Sequence, residues 1–129
     1  MNNNIIKIKI KSDLNLYGKK WLIEKPVAQV VIVTGMEEHS GRYDTLAKFL
    51  NEHGYNVFSL DYFGQGENVK SKEQTLGNVP PHAFNLFTDG LAHLIREIKE
   101  DKPLFMLGHS MGSFLAQEFA QRYGDLLDK

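Results

Sequence analysis

Gly108-His109-Ser110-Met111-Gly112 decides how the rest of this chain is read. The five residues follow a short apolar run, Pro103-Leu104-Phe105-Met106-Leu107, and precede a helical pattern from Gly112 to about Tyr123. Strand, Gly-x-Ser-x-Gly, helix is the setting of a nucleophile elbow, a sharp turn that lifts a serine hydroxyl clear of a sheet. Such a turn strains the backbone, so its neighbours must be small, and Gly108 and Gly112 flank Ser110 at the two positions that need it. The helix start adds unpaired N–H groups and the positive end of a dipole, both suited to a developing oxyanion.

Working outward, the spacing of Phe84, Phe87, Leu91, Leu94, Ile95 and Ile98 predicts a helix over 83–99 with one apolar stripe that packs as core. Residues 62–81 are glycine- and asparagine-rich, end in Pro80-Pro81, and read as loop. Asn56-Val57-Phe58-Ser59-Leu60 is a buried strand ending at Asp61, and a helix over 42–53 before it is stopped by Gly54. Gln29-Val30-Val31-Ile32-Val33 is a short apolar, β-branched run of the kind a parallel strand shows when covered on both faces. At the N-terminus isoleucine alternates with lysine over 5–11, and 16–24 reads as its hairpin partner, with Lys7, Lys9 and Lys11 on a solvated face. The order β-α-β-α-β-α after a hairpin predicts an α/β fold, a parallel sheet with helices on both faces.

The 129 residues suit one domain. A formal net charge of −1, from 15 basic and 16 acidic residues, gives no sign of a nucleic-acid partner. There is no cysteine, which excludes disulfides, thiolate chemistry and cysteine-bound zinc, and the scattered histidines have no metal-ligand spacing. The lysine-interrupted N-terminus is no signal peptide, and no apolar run has the length of a membrane span, so the expected location is cytoplasmic.

A second motif, Gly35-Met36-Glu37-Glu38-His39-Ser40-Gly41-Arg42-Tyr43, follows the first parallel strand, and Asp61-Tyr62-Phe63-Gly64-Gln65-Gly66 follows the next. With the elbow, these stretches closely resemble the monoacylglycerol lipase and lysophospholipase branch of the α/β-hydrolases, the serine aminopeptidase S33-type domain. The resemblance runs from about residue 5 to the end of the chain. It implies an α/β-hydrolase-like sheet and cleavage of carboxylic esters of lipid type through an acyl-serine intermediate, with no metal or cofactor. Ser110 is then the nucleophile, and the backbone N–H groups of Met36 and Met111 form the oxyanion hole. His39 and Arg42 become loop-ordering residues, Asp61 orders the glycine loop, and His109 packs locally.

The chain departs from the family in three places. Thr34 stands where the family has histidine before the oxyanion-loop glycine, and Gly64-Gln65-Gly66-Glu67-Asn68 replaces a Gly-His-Gly-x-Ser loop. More consequential, the triad of this fold runs Ser, Asp or Glu, His along the chain. All five histidines, at 39, 53, 82, 93 and 109, precede Ser110. Glu118, Asp125 and Asp128, the acids after it, fall on the elbow helix or its end. The chain therefore reads as the N-terminal part of one hydrolase domain, truncated after the elbow helix, without the lid and the later strands. The strand 103–107 is expected to show an unpaired apolar edge. Two readings of function follow: a serine ester hydrolase whose base lies outside this chain, or a non-catalytic remnant or half-enzyme that works only by pairing with a second chain.

Overall fold

The computed structural model describes residues 4–34, 43–70, 80–109 and 111–127. The isoleucine–lysine alternation forms strand β1, Ile5–Lys11, and the chain turns through Ser12 and Asp13 into β2, Leu14–Trp21. The pair is antiparallel, running from Ile5 opposite Lys19 to Lys11 opposite Leu14, with a register shift between Lys9 and Lys11. Ile8 is buried while Lys7, Lys9 and Lys11 face solvent, as a period of two demands. β2 begins at Leu14, ahead of the expected 16, because Leu14 still pairs across the shifted register. It ends at Trp21, short of 24, where pairing with the next strand inward stops at Val57.

The β-branched runs form the parallel part of the sheet. Strand β3 is Ala28–Val33, followed by helix α1, Asp44–Glu52, and strand β4, Tyr55–Leu60. A short helix α2, Glu67–Lys70, then precedes α3, Ala83–Ile98; β5, Leu104–Gly108, and α4, Met111–Tyr123, complete the series before a 3-10 turn at Gly124–Leu126. The sheet order is β1-β2-β4-β3-β5. β3 pairs parallel with β4 and with β5, and β2 joins β4 antiparallel. All of β3 is buried, because helices cover both faces of the sheet. Val30 and Ile32 meet Ala47 of α1 with Trp21 and Val57 on one side. Val31 and Val33 meet Phe87, Leu91, Leu94 and Ile95 of α3 and Leu115 and Phe119 of α4 on the other. Each large apolar side chain so enclosed contributes about 1.5–3 kcal/mol.

Two expectations need correction. Phe84, placed on the core stripe of α3, is 36% exposed. It lies in the first turn and meets the sheet side only edge-on, at 6.2 Å from the Tyr62 ring. The stretch 62–81, read wholly as loop, contains α2, whose start is held by a side chain described below; residues 71–79 lie outside the described set. The open edge is as expected. Among the described residues β5 pairs only with β3, and Leu107 on it is 44% exposed. No helix among the described residues is long and apolar enough to cross a membrane.

A polar clasp fixes where α1 begins. The Trp21 indole N–H donates to Asp44 Oδ1 at 2.9 Å, and Lys19 Nζ donates to the same oxygen at 3.2 Å. The Lys19 ammonium also lies 5.6 Å from the Trp21 ring centre. Burial pushes the Asp44 carboxyl up, but the two hydrogen bonds and the charges of Lys19 and Lys48 outweigh it and hold the group below its ordinary 3.8. A carboxyl depressed in the folded state adds stability above its unfolded pKa and loses it as pH falls through the folded one. The clasp is therefore complete above 3.8 and weakens below it. Asp44→Asn keeps an acceptor for Trp21 but loses the charge. Its melting temperature is expected to fall less than that of the natural chain between about pH 5 and pH 3. The gap is small, because the Asp44 side chain is 44% exposed and screened by solvent. Parallel curves over that range would show that the Asp44 charge does not strengthen the clasp.

Candidate active site

The parallel strands β4, β3 and β5 run side by side, and their C-terminal ends bring Asp61, Thr34 and His109 to one rim of the sheet. At such a rim an open α/β sheet places its ligands. β5 hands over to α4 with almost no intervening chain. The His109 N–H donates to Val33 O at 3.3 Å, and the Gly112 N–H donates to His109 O at 2.9 Å. Met111 is the first residue of α4, so its N–H belongs to the turn whose donors have no acceptor within the helix.

The need for glycine here comes from close approach. A Cβ on Gly108 would lie 2.5 Å from Gly112 O and 2.9 Å from Ser113 Cα. A Cβ on Gly112 would run into Val33 O, with Val33 C at 2.8 Å and Thr34 O at 2.9 Å. Gly108 lets the first turn of α4 fold back onto β5, and Gly112 lets that turn rest on the main chain of β3. Ser110, Met36, His39 and Arg42 lie outside the described residues.

Asp61 and Asn68 together tie down the loop after β4. The Glu67 N–H donates to Asp61 Oδ2 at 2.8 Å, so the carboxylate stands at the start of α2. Asn68, fully buried, donates from Nδ2 to Asp61 O at 2.7 Å and Tyr62 O at 2.8 Å and accepts the Tyr17 N–H at 2.7 Å. Asp61 N–H in turn donates to Tyr17 O at 2.9 Å. The expected role of Asp61 as an ordering residue matches these bonds. Asn68 was visible in the sequence only as a departure from the family loop, and nothing marked it as the hub. Asn68→Ala takes the side-chain partner from the Tyr17 N–H and from Asp61 O, while Tyr62 O keeps the Gln65 N–H, and it is expected to cost about 2–3 kcal/mol in chemical denaturation. A loss below about 0.5 kcal/mol would mean that this loop is not held through Asn68.

Tyr62 and Phe63 next to Asp61 are buried against Phe87. Burial, and secondarily Glu118, push the Tyr62 phenol above its ordinary 10.0, which keeps it neutral at physiological pH. Thr34, at the end of β3, is fully buried, and its hydroxyl has no hydrogen-bond partner among the described residues. His82 and His93 are exposed, the first at the N-cap of α3 and the second along that helix.

The family sequence model described as "Serine aminopeptidase, S33" matches residues 24–129. Phospholipase YtpA of Bacillus subtilis (strain 168) is 33% identical over 103 residues, covering 79% of this chain and 38% of its own length. Monoglyceride lipase of Homo sapiens is 31% identical over 94 residues, 70% of this chain and 29% of the relative. In three dimensions the chain is similar to the monoacylglycerol lipase of Paleococcus ferrophilus, with a TM-score of 0.68 and 28% identity over 88% of this chain and 40% of that one. The chain thus spans less than half the length of each of these relatives.

Proposed function

Because the chain belongs to the serine aminopeptidase S33 family of α/β-hydrolases, we propose that it supplies the nucleophile and oxyanion side of a serine ester hydrolase. Its substrate class is the monoacylglycerol or lysophospholipid type of acyl ester. Ser110 Oγ attacks the ester carbonyl carbon while a histidine takes its proton. The N–H groups of Met36 and Met111 receive the oxyanion. The carbonyl re-forms as the bond to the leaving alcohol breaks and the histidine returns the proton to that alcohol. Water then repeats the cycle on the acyl-serine and frees the acid. No histidine follows Ser110 in this sequence, so in the family's Ser–Asp–His order the base and its orienting acid come from outside these residues.

One observation carries this reading: Gly108 and Gly112 sit where a side chain would strike the main chain of α4 and β3. Chance placement of two glycines around a serine has no reason to meet that condition at a parallel strand end. The open edge of β5, with Leu107 exposed, supports the further reading that the remaining strands join the sheet there, whether from the same polypeptide or a second one.

A fluorophosphonate probe tests the proposal. Mixed with the C-terminal part of a family member that carries the aspartate and histidine, the chain is expected to be labelled at Ser110, and labelling should be far slower without that part. Absence of labelling in a mixture shown by size exclusion to have assembled would sink the enzymatic reading and leave the non-catalytic one.

A further inference from the structure

Charge is unevenly spread along this chain. Residues 5–21, the β1–β2 hairpin, hold five lysines and a single acid, Asp13. The hairpin therefore carries +4 in a chain whose total is −1, which leaves −5 on the remaining residues. The lysines are also ordered. Lys7 pairs with Tyr17, Lys9 with Asn15, and Ile5 with Lys19, and cross-strand partners share a face. Lys7, Lys9 and Lys19 thus stand on one side of the hairpin, with Lys7 Nζ 5.7 Å from the Tyr17 ring centre. Lys11 follows just past the register shift. Successive lysines of β1 lie about 7 Å apart. The other side of the hairpin is committed to the core, where Ile8 and Leu16 are buried with Leu91 and Ile95 of α3. Lys19 is paired with Asp44, but Lys9 and Lys11 are exposed and make no ion pair among the described residues.

Lysines on an edge strand guard it against stray pairing, which accounts for β1 but not for Lys19 and Lys20 on the inner strand β2. The row also leads to the rim of the sheet. Gly18 pairs with Leu60, the last residue of β4, and the Asp61 N–H donates to Tyr17 O at 2.9 Å. Lys7, opposite Tyr17, is thus level with the rim of Asp61, Thr34 and His109, and Lys9 and Lys11 continue beyond it. All five cations of the hairpin are lysine and none is arginine. Compact charges on flexible apolar stems follow a diffuse surface potential, whereas the arginine fork suits a defined phosphate or base edge. We propose that this hairpin docks the chain on the surface of an anionic phospholipid bilayer, with the lysine row against the headgroups and the rim beside the lipid. The attraction rests on where the charges stand and holds whether or not Ser110 is a nucleophile.

Co-sedimentation of the chain with vesicles reads this contact directly. Each lysine near an anionic surface is worth about fivefold in affinity. Partition onto vesicles of equal parts phosphatidylserine and phosphatidylcholine is therefore expected to exceed that onto phosphatidylcholine alone by at least about a hundredfold. It should fall steeply from about 0.1 M to about 1 M salt, as the screening length shrinks from about 10 Å to about 3 Å. Lys9→Gln with Lys11→Gln should lower the anionic partition about 25-fold. Lys25→Gln with Lys102→Gln removes the same net charge ahead of β3 and β5, at the other end of the sheet, and should lower it by less than about twofold. The salt dependence needs no variant, so it stands if a substituted chain fails to fold. Equal partition onto both kinds of vesicle, binding insensitive to salt, or equal losses from the two lysine pairs would each overturn the assignment. So would a chain that ignores vesicles yet binds a single-stranded RNA oligonucleotide through Lys9 and Lys11.

Discussion

Ser110→Ala is expected to lower ester turnover by about 10⁶-fold in the assembled domain, the scale on which removing a triad serine acts in other serine hydrolases. The change deletes one hydroxyl. Without it no acyl-enzyme forms, and what remains over the rate in water comes from oxyanion donors and binding alone. The fall should lie in kcat, with KM for a short-chain nitrophenyl ester nearly unmoved, since a hydroxyl adds little to ground-state binding. Melting should be unchanged, because alanine suits the same turn. The exposed histidines give the contrast: His82→Ala and His93→Ala sit on the wet side of α3 and should leave turnover at its natural level. If Ser110→Ala kept a hundredth of the activity, another nucleophile would be at work. Loss of activity with either histidine would instead place the base inside this chain.

Much of the fold was legible because it rests on short-range patterns. Two faces of burial make β3 apolar but for Gln29 and put Val57, Phe58 and Leu60 in β4, and one wet face makes β1 alternate; each pattern follows from side-chain periodicity. The passage from β5 to α4 between Gly108 and Gly112 was legible because glycine spacing, a strand and a helix coincide within about twenty residues. What stayed hidden depends on contacts between distant parts of the chain. Gln29 sat inside a run read as apolar, and only the arrival of the end of α3, with Ile98 O at 2.9 Å, gives its amide a purpose. Asn68 became a hub because β2 brings the Tyr17 N–H to it across 51 positions of sequence. The start of α2 owes its place to the Asp61 carboxylate six residues earlier, a bond that polar composition alone cannot announce. Phe84 had the right period for the stripe, yet it heads the helix at the rim, where the core beneath it has run out. Of the loop residues that depart from the family pattern, Thr34 and Asn68 turn out to be fully buried and Gln65 half-buried. Substitution there reshapes the support beneath the site.

The glycines of the elbow make the strongest stability prediction. Gly112→Val is expected to destabilise the chain by more than about 4 kcal/mol, the range reserved for overpacking that has nowhere to relax. Small domains have about 5–15 kcal/mol in total, so the variant should be largely unfolded at moderate temperature. The obstacle is main chain: a Cβ at 112 meets Val33 O and lies 2.8 Å from Val33 C. Val33 O also accepts the His109 N–H, and Val33 pairs with both Leu60 and Gly108 at the centre of the sheet. β3 cannot yield without disturbing both neighbours, so α4 must lift instead, taking Leu115 and Phe119 out of the core they share with α3. Gly112→Ala should cost less, about 2–3 kcal/mol, since one methyl forces a smaller shift. Gly124 supplies the control within the same segment of chain. Nothing lies within 4 Å of a Cβ built there, and Gly124→Ala should change stability by no more than about 0.5 kcal/mol. Urea melts of the three variants measure the order directly. Equal stability of Gly112→Ala and Gly124→Ala would mean that α4 does not rest on β3, and the elbow would lose its structural support. The predicted order would instead tie the glycine after Ser110 to the packing of the sheet's centre, which is why a change there should reach both folding and the activity proposed for Ser110.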